Sequence, residues 1–185
     1  GGEVIGKLLE LLSDPEWHVR YAAASALGSL GERSSGGEVI GKLLELLSSP
    51  EWNVRYAAAS ALGSLGERAS GGELIGKLLE LLSDPEWFVR YAAARALGSL
   101  GERSSGGEVI GKLLELLSDP NGNVRSAAAS ALVTLSAKVA SGGAGGRVMA
   151  LALPYAKKRG KSEVARDQRN GGYIVLRNVM AASAE

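Results

Sequence analysis

A 35-residue period constrains this chain more than any other feature of its sequence. Four units start at Gly1, Gly36, Gly71 and Gly106 and run over 1–35, 36–70, 71–105 and 106–140. The second unit departs from the first at only three positions (14/49, 18/53 and 34/69), and the third also at three (4/74, 18/88 and 25/95). The fourth erodes: Asn121-Gly122 replaces Glu-Trp, Ser126 replaces Tyr, and the end reads Leu132-Val133-Thr134-Leu135-Ser136. Such a period means an array of small supersecondary units. None has enough core to stand alone, so neighbours stack and bury a shared one.

Within a unit the apolar residues follow a helical period twice. Val4, Ile5, Leu8, Leu9, Leu11 and Leu12 fall on one stripe of a first helix. Ser13-Asp14-Pro15-Glu16 then punctuates the chain. Asp14 can cap the next helix, Pro15 suits its first position, and Glu16 favours its positive end. Val19, Ala22, Ala23, Ala26, Leu27 and Leu30 make the buried stripe of a second helix. Gly31 reads as its stop, and residues 32–37 as the linker. Small residues at 22, 23, 24, 26 and 28 let helices approach closely. After the glycine-rich 141–146 the identity fades, but the plan continues. Residues 147–153 can be a first helix, and Arg169–Val179 can be laid on Arg20–Leu30. The expectation is a degenerate fifth unit over 141–185 that caps the array, with Pro154 and Gly171-Gly172 weakening its helical pattern.

Composition closes several function classes. The chain has no cysteine and one histidine, which removes disulfides, thiolate chemistry and the usual His-rich metal sites. No metal and no cofactor is expected. No apolar run approaches the ~20 residues that span a bilayer, so no membrane insertion is expected. Compartment is unreadable; the chain begins with Gly1 rather than Met, and an intracellular soluble setting is favoured. Residues 1–140 carry 13 Lys/Arg against 17 Asp/Glu, and 141–185 carry 8 against 3. A mildly acidic body argues against nucleic acid, which needs an extended basic surface. The basic run Lys157, Lys158, Arg159 and Lys161 reads as a solvated loop, or else as a contact for an acidic partner, phosphate or RNA. No Ser-His-Asp arrangement can be built, because the single His18 stands at a variable position and is missing from every other unit.

The pattern Asp14-Pro15-Glu16-Trp17-x-Val19-Arg20-x-Ala22-Ala23-x-x-Ala26-Leu27-x-x-Leu30-Gly31 resembles the second half of a HEAT repeat, in particular the short HEAT-like class first associated with phycobilin lyases. The resemblance covers 1–140 well and 141–185 loosely. It implies an all-α fold, a right-handed α-solenoid of stacked two-helix units whose second helices line the concave face. It also implies an inter-repeat ladder in which Arg20, Arg55, Arg90 and Arg125 engage acidic or cap groups, among them Asp14, Asp84 and Asp119, near unit boundaries. Ser49 departs from the Asp pattern and is expected to remove one charge from that ladder. The resemblance implies no activity. Deoxyhypusine hydroxylases of this build need paired His-Glu iron ligands that one histidine cannot supply. HEAT-like DNA glycosylases present a basic cleft, and these repeats are acidic. No residue set here singles out bilin-lyase chemistry.

The substitutions among the copies are not spread evenly. On a wheel of 100° per residue, positions 14, 18, 21 and 25 fall together, away from the apolar arc. The stripe across the units comprises His18, Tyr21 and Ser25; Asn53, Tyr56 and Ser60; Phe88, Tyr91 and Arg95; Asn123, Ser126 and Ser130. Phe88 and Arg95 change together at i, i+7. Either this is drift on solvent-exposed positions, or it is a ligand-contacting stripe diversified on a copied scaffold. Lys7, Glu10, Glu32 and Arg33 stay fixed through three units, which drift explains less well. Trp17, Trp52 and Trp87 are expected to fold into the gaps between units, with exposure on the concave face as the alternative; Tyr21, Tyr56 and Tyr91 are expected to be exposed. The function expected is a non-enzymatic scaffold that binds another protein or peptide. Near-identical units with a diversified stripe also resemble the repeat-built sensor regions of immune-type receptor ATPases. The alternatives are a structural accessory subunit in a large assembly and an engineered consensus scaffold. Unit one lacks a polar outer face, so the array is expected to continue upstream or to be covered there by a partner.

Overall fold

The structure, a computed structural model, describes residues 2–30, 36–69, 71–101 and 106–141, with side chains to 135. The expected fifth unit and its basic run, Lys157, Lys158, Arg159 and Lys161, lie outside the described residues. Among those described there are eight α-helices, a 3-10 turn at Gly66–Ala69 and no strand: α1 Gly2–Leu11, α2 Trp17–Leu30, α3 Gly37–Leu46, α4 Trp52–Leu65, α5 Gly72–Leu81, α6 Trp87–Ser99, α7 Gly107–Leu116 and α8 Gly122–Ser141. They form four antiparallel hairpins, stacked in chain order into an all-α solenoid.

The punctuation between the two helices of a unit works differently from the sequence expectation. The residue at the N-cap position is Glu51 in α4 and Glu86 in α6, each extended and without a side-chain cap bond. The aspartate stands two residues earlier and accepts the N–H of the glutamate: Glu16 to Asp14 at 2.8 Å and Glu86 to Asp84 at 2.9 Å. Asp-Pro therefore builds a tight turn before the helix, and Pro15 lies outside α2 rather than at its first position. Such a side-chain-to-backbone turn competes successfully with capping because Pro restrains the residue before it to extended backbone. At the other end, Gly66 and Gly101 take positive φ of 59° and 70°, backbone that glycine adopts without strain where the chain leaves the helix.

Packing is unequal in the two layers. The second helices lie directly on one another, α2 on α4, α4 on α6 and α6 on α8, while each first helix packs mainly on its own partner. A glycine in every joint explains the difference. A Cβ added to Gly28 would come within 2.9 Å of the Ala61 Cα; Gly63 faces Ala96 and Gly98 faces Ala131 in the same way. Backbone thus touches backbone in the second layer, whereas the leucine-rich first helices are held apart by their side chains.

Burial on the second helix spans three sides. Val54, Ala57, Ala58, Ala61, Leu62 and Leu65 are buried as the apolar stripe predicts, and Ala59 is buried beyond it. Ala24, Ala94 and Ala129 repeat that extra position. The helix meets its own first helix on one side and two neighbouring second helices on the others, so only the arc around positions 18 and 25 stays free. Unit one shows the reverse at its outer side. Val4 is 56% exposed where Val39 is 2%, and α1 buries no residue fully.

Candidate functional site

In units two and three the arginine lies at a joint and reaches an aspartate 29 residues on. Arg55 donates Nε to Asp84 Oδ2 at 2.8 Å and Nη2 to Oδ1 at 3.1 Å, while Nη1 donates to the carbonyls of Ser49 and Pro50. Arg90 repeats this on Asp119, at 2.7 and 3.1 Å, and on the carbonyls of Asp84 and Pro85. One guanidinium therefore closes its own Asp-Pro turn and clamps the next unit in the planar two-bond geometry that only arginine offers. Arg125 closes its turn on Asp119 and Pro120 in the same way. Its position 29 residues on is Pro154, outside the described residues.

The joint between units one and two corrects an expectation. Ser49 does not cost the ladder a charge. Glu51, two residues further on, accepts Nη2 of Arg20 at 2.8 Å, and Ser49 Oγ donates to the same Glu51 oxygen at 2.7 Å. These contacts hold the Glu51 carboxyl below the ordinary glutamate value; the Ser49 hydroxyl contributes most, with smaller effects from its own backbone N–H and from Arg20, against partial burial that raises it. The clamp is looser here, since the bond is single and the Glu51 side chain is 35% exposed where those of Asp84 and Asp119 are 6% and 5%. Asp14 completes no clamp and serves its own turn alone.

The stripe residues share the free arc of the second helices, but not equally. His18, Tyr21, Phe88, Arg95, Asn123, Ser126 and Ser130 are exposed; Ser25, Asn53, Tyr56, Ser60 and Tyr91 are half-buried. Tyr56 and Tyr91 rest against the core, which corrects the expectation of exposed tyrosines. Tyr21, in the first unit, stays 36% exposed. Trp17 and Trp52 depart in the opposite sense. They are 44% and 38% exposed, whereas Trp87 is half-buried against the core.

Unit three draws the aromatics together. Phe88 stacks on Trp87 at 3.7 Å between centroids and on Trp52 of the preceding unit at 5.1 Å, and meets Tyr56 edge-on at 6.3 Å. One turn on, the Arg95 guanidinium lies 5.6 Å over the Tyr91 ring. In unit one the same position holds His18, edge-on to Trp17 at 5.8 Å. Beside the stripe, Trp17, Trp52, Pro50, Glu51, Pro85 and Glu86 line an open groove of about 460 Å³. Sequence reasoning missed both this groove and Glu51. The Arg-to-Asp spacing of 29 residues, legible at 55/84 and 90/119, was the signal that leads to position 49 and its acidic neighbour.

Among the described residues no group of three or more His, Asp or Glu side chains could hold a metal, and no helix is long and apolar enough to cross a membrane.

The family model described as HEAT repeats matches residues 5–75 and again 75–141. No curated protein matches the chain. Solved structures that resemble it include two engineered proteins from the Northeast Structural Genomics Consortium. One has a TM-score of 0.61 at 23% identity, covering 95% of this chain and 88% of that one; the other has 0.58 at 24%, covering 94% and 89%. A designed armadillo repeat protein aligns with a TM-score of 0.60 at 16% identity over 93% of this chain and 90% of its own. At these identities what is shared is the fold. With paired helices, a repeated Arg-Asp clamp and a family match over most of its length, the chain belongs to the HEAT-repeat family.

Proposed function

We propose that this HEAT-repeat solenoid is a non-enzymatic binding scaffold that grips a protein or peptide along the inner stripe formed by positions 18, 21 and 25 of successive units. In this reading residues 1–140 are four such units, and 141–185 a fifth that caps them. The observation that carries it is the cluster at unit three. The one unit with a phenylalanine at position 18 also carries Arg95 at position 25, and both side chains stand exposed. Phe88 is held by two tryptophans and Arg95 by Tyr91, so both are ordered before a ligand arrives. Pre-ordered aromatic and arginine side chains are the residues that most often dominate binding at interfaces, because little conformational entropy remains to be lost.

The test is selection from a random-peptide display library on the intact chain, followed by titration of enriched peptides. The double variant Phe88→Ser with Arg95→Ser is expected to weaken them at least tenfold, the scale of one hot-spot pair. If enriched peptides bind the double variant as well as the parent, the stripe is not the binding surface.

A further inference from the structure

The edge beside the stripe carries a second, chemically different surface. Each of units one to three sets a glutamate next to a tryptophan: Glu16-Trp17, Glu51-Trp52 and Glu86-Trp87. The nearby arginines do not neutralise this edge, since Arg20, Arg55 and Arg90 are each spent on a carboxylate of the next unit. What remains is Asp14, Glu16 and Glu86. Among the described residues Asp14 and Glu86 engage no cationic side chain, and Glu16 meets only His18, at 3.8 Å. The groove between Trp17 and Trp52 is lined also by Arg55, which is held by Asp84, and by Glu86, so it joins exposed ring faces to a carboxylate without an ion-pair partner among the described residues, with Glu16 next to Trp17 in the chain. Ring faces attract cations, and a carboxylate at the rim adds a charge-assisted partner.

We infer that this edge is a docking site for a basic, extended peptide, with an arginine or lysine seated against each free tryptophan. The spacing narrows the sequence. Second helices in direct contact stand about 8–10 Å apart. A polyproline-II chain returns to the same side every third residue, after ~9.3 Å. The ligand thus carries cationic residues at i and i+3. Two subsites are open. The third is shut, because Phe88 lies on Trp87 at 3.7 Å and covers one face of Trp52. Phe88 belongs to the proposed stripe and at the same time ends the cationic ladder, so the two surfaces respond in opposite directions to its removal.

The experiment titrates short synthetic peptides into the full chain at low salt, read by tryptophan fluorescence and calorimetry. A peptide with arginines at i and i+3 in a Ser/Pro background is expected to bind saturably. Trp17→Ala and Trp52→Ala, checked for fold by circular dichroism, are expected to weaken it by about 3- to 30-fold each. Glu16→Gln with Glu86→Gln is expected to weaken it and flatten its salt dependence. Phe88→Asn, the residue found at 53, is expected to tighten a three-arginine peptide. The inference is overturned if binding does not saturate, if it ignores the tryptophans, or if arginines at i and i+1, or a neutral proline-rich peptide, bind equally well. Loss of library peptides but not of the arginine peptide in Phe88→Ser/Arg95→Ser sinks neither reading; the reverse pattern sinks both.

Discussion

Removing the arginine from two different joints gives very different losses, although the substitution is chemically identical. In Arg90→Met the aliphatic stem stays and the guanidinium goes. Four donated bonds vanish, and the Asp119 carboxylate is left with the Asn121 N–H at 2.8 Å as its remaining partner among the described residues. Its side chain is 5% exposed, so water reaches it poorly. Stripping the partner from a buried ion pair costs about 3–5 kcal/mol, and the lower end applies because one backbone donor remains. In Arg20→Met the abandoned Glu51 turns into solvent and keeps the Ser49 hydroxyl, so the loss is much smaller. The assay is urea unfolding of each variant by far-ultraviolet circular dichroism. In a nearest-neighbour array the weakened term is the interface itself, so Arg90→Met is expected to detach the fourth unit in a separate low-urea phase. Equal shifts in the two variants, or a loss for Arg90→Met below about 1 kcal/mol, would refute the view that burial of the aspartate sets the strength of the clamp.

Glycine-to-alanine changes are expected to split by layer. Gly76→Ala, with nothing within 4 Å of the new carbon, gains about 0.5–1 kcal/mol of helix propensity. Gly63→Ala forces its carbon to 3.0 Å from the Ala96 Cα, and overpacking of about 1–3 kcal/mol outweighs that gain; thermal unfolding of both checks the opposite signs. The pH response of the first joint has a defined sense. Glu51 has a lowered pKa in the fold, so its stabilisation is complete above the unfolded glutamate value and is lost as pH falls through the lower, folded one. Ser49→Ala removes the largest cause, and carbon-detected NMR of the Glu51 carboxyl is expected to show its titration moving up; an unmoved midpoint contradicts the assignment. Ser49→Asp is expected to offer Arg20 the two-bond geometry of the later joints, and acid unfolding then resembles that of a chain with three equivalent clamps.

How far the sequence could be read differs from residue to residue. The period of 35, the two apolar stripes and the small residues at 22, 23, 26 and 28 announce stacked helical hairpins, because helix periodicity and side-chain volume are local properties. The identity of the arginine's partner is not local. Position 49 reads as a gap in the ladder until the fold brings Glu51 within 2.8 Å of Arg20. The aromatics misled for a related reason. Wheel angles place tryptophan and tyrosine side by side, yet Tyr56 ends against the core and Trp52 in a groove, because neighbouring units, which a single helix wheel does not contain, decide the surroundings of each ring.

By itself, then, the sequence determined the architecture, the helical register, the glycines at the joints and the stripe along which the copies vary. Tertiary structure alone decided which carboxylate meets each arginine, which aromatic rings stay open, and that Phe88 lies across the tryptophans of two units. Secondary structure follows from the order of residues in a segment only a few turns long. The charge and aromatic contacts between units of this solenoid join residues 29 to 36 positions apart, and only the distance between neighbouring second helices, set by glycine against alanine, brings them into reach.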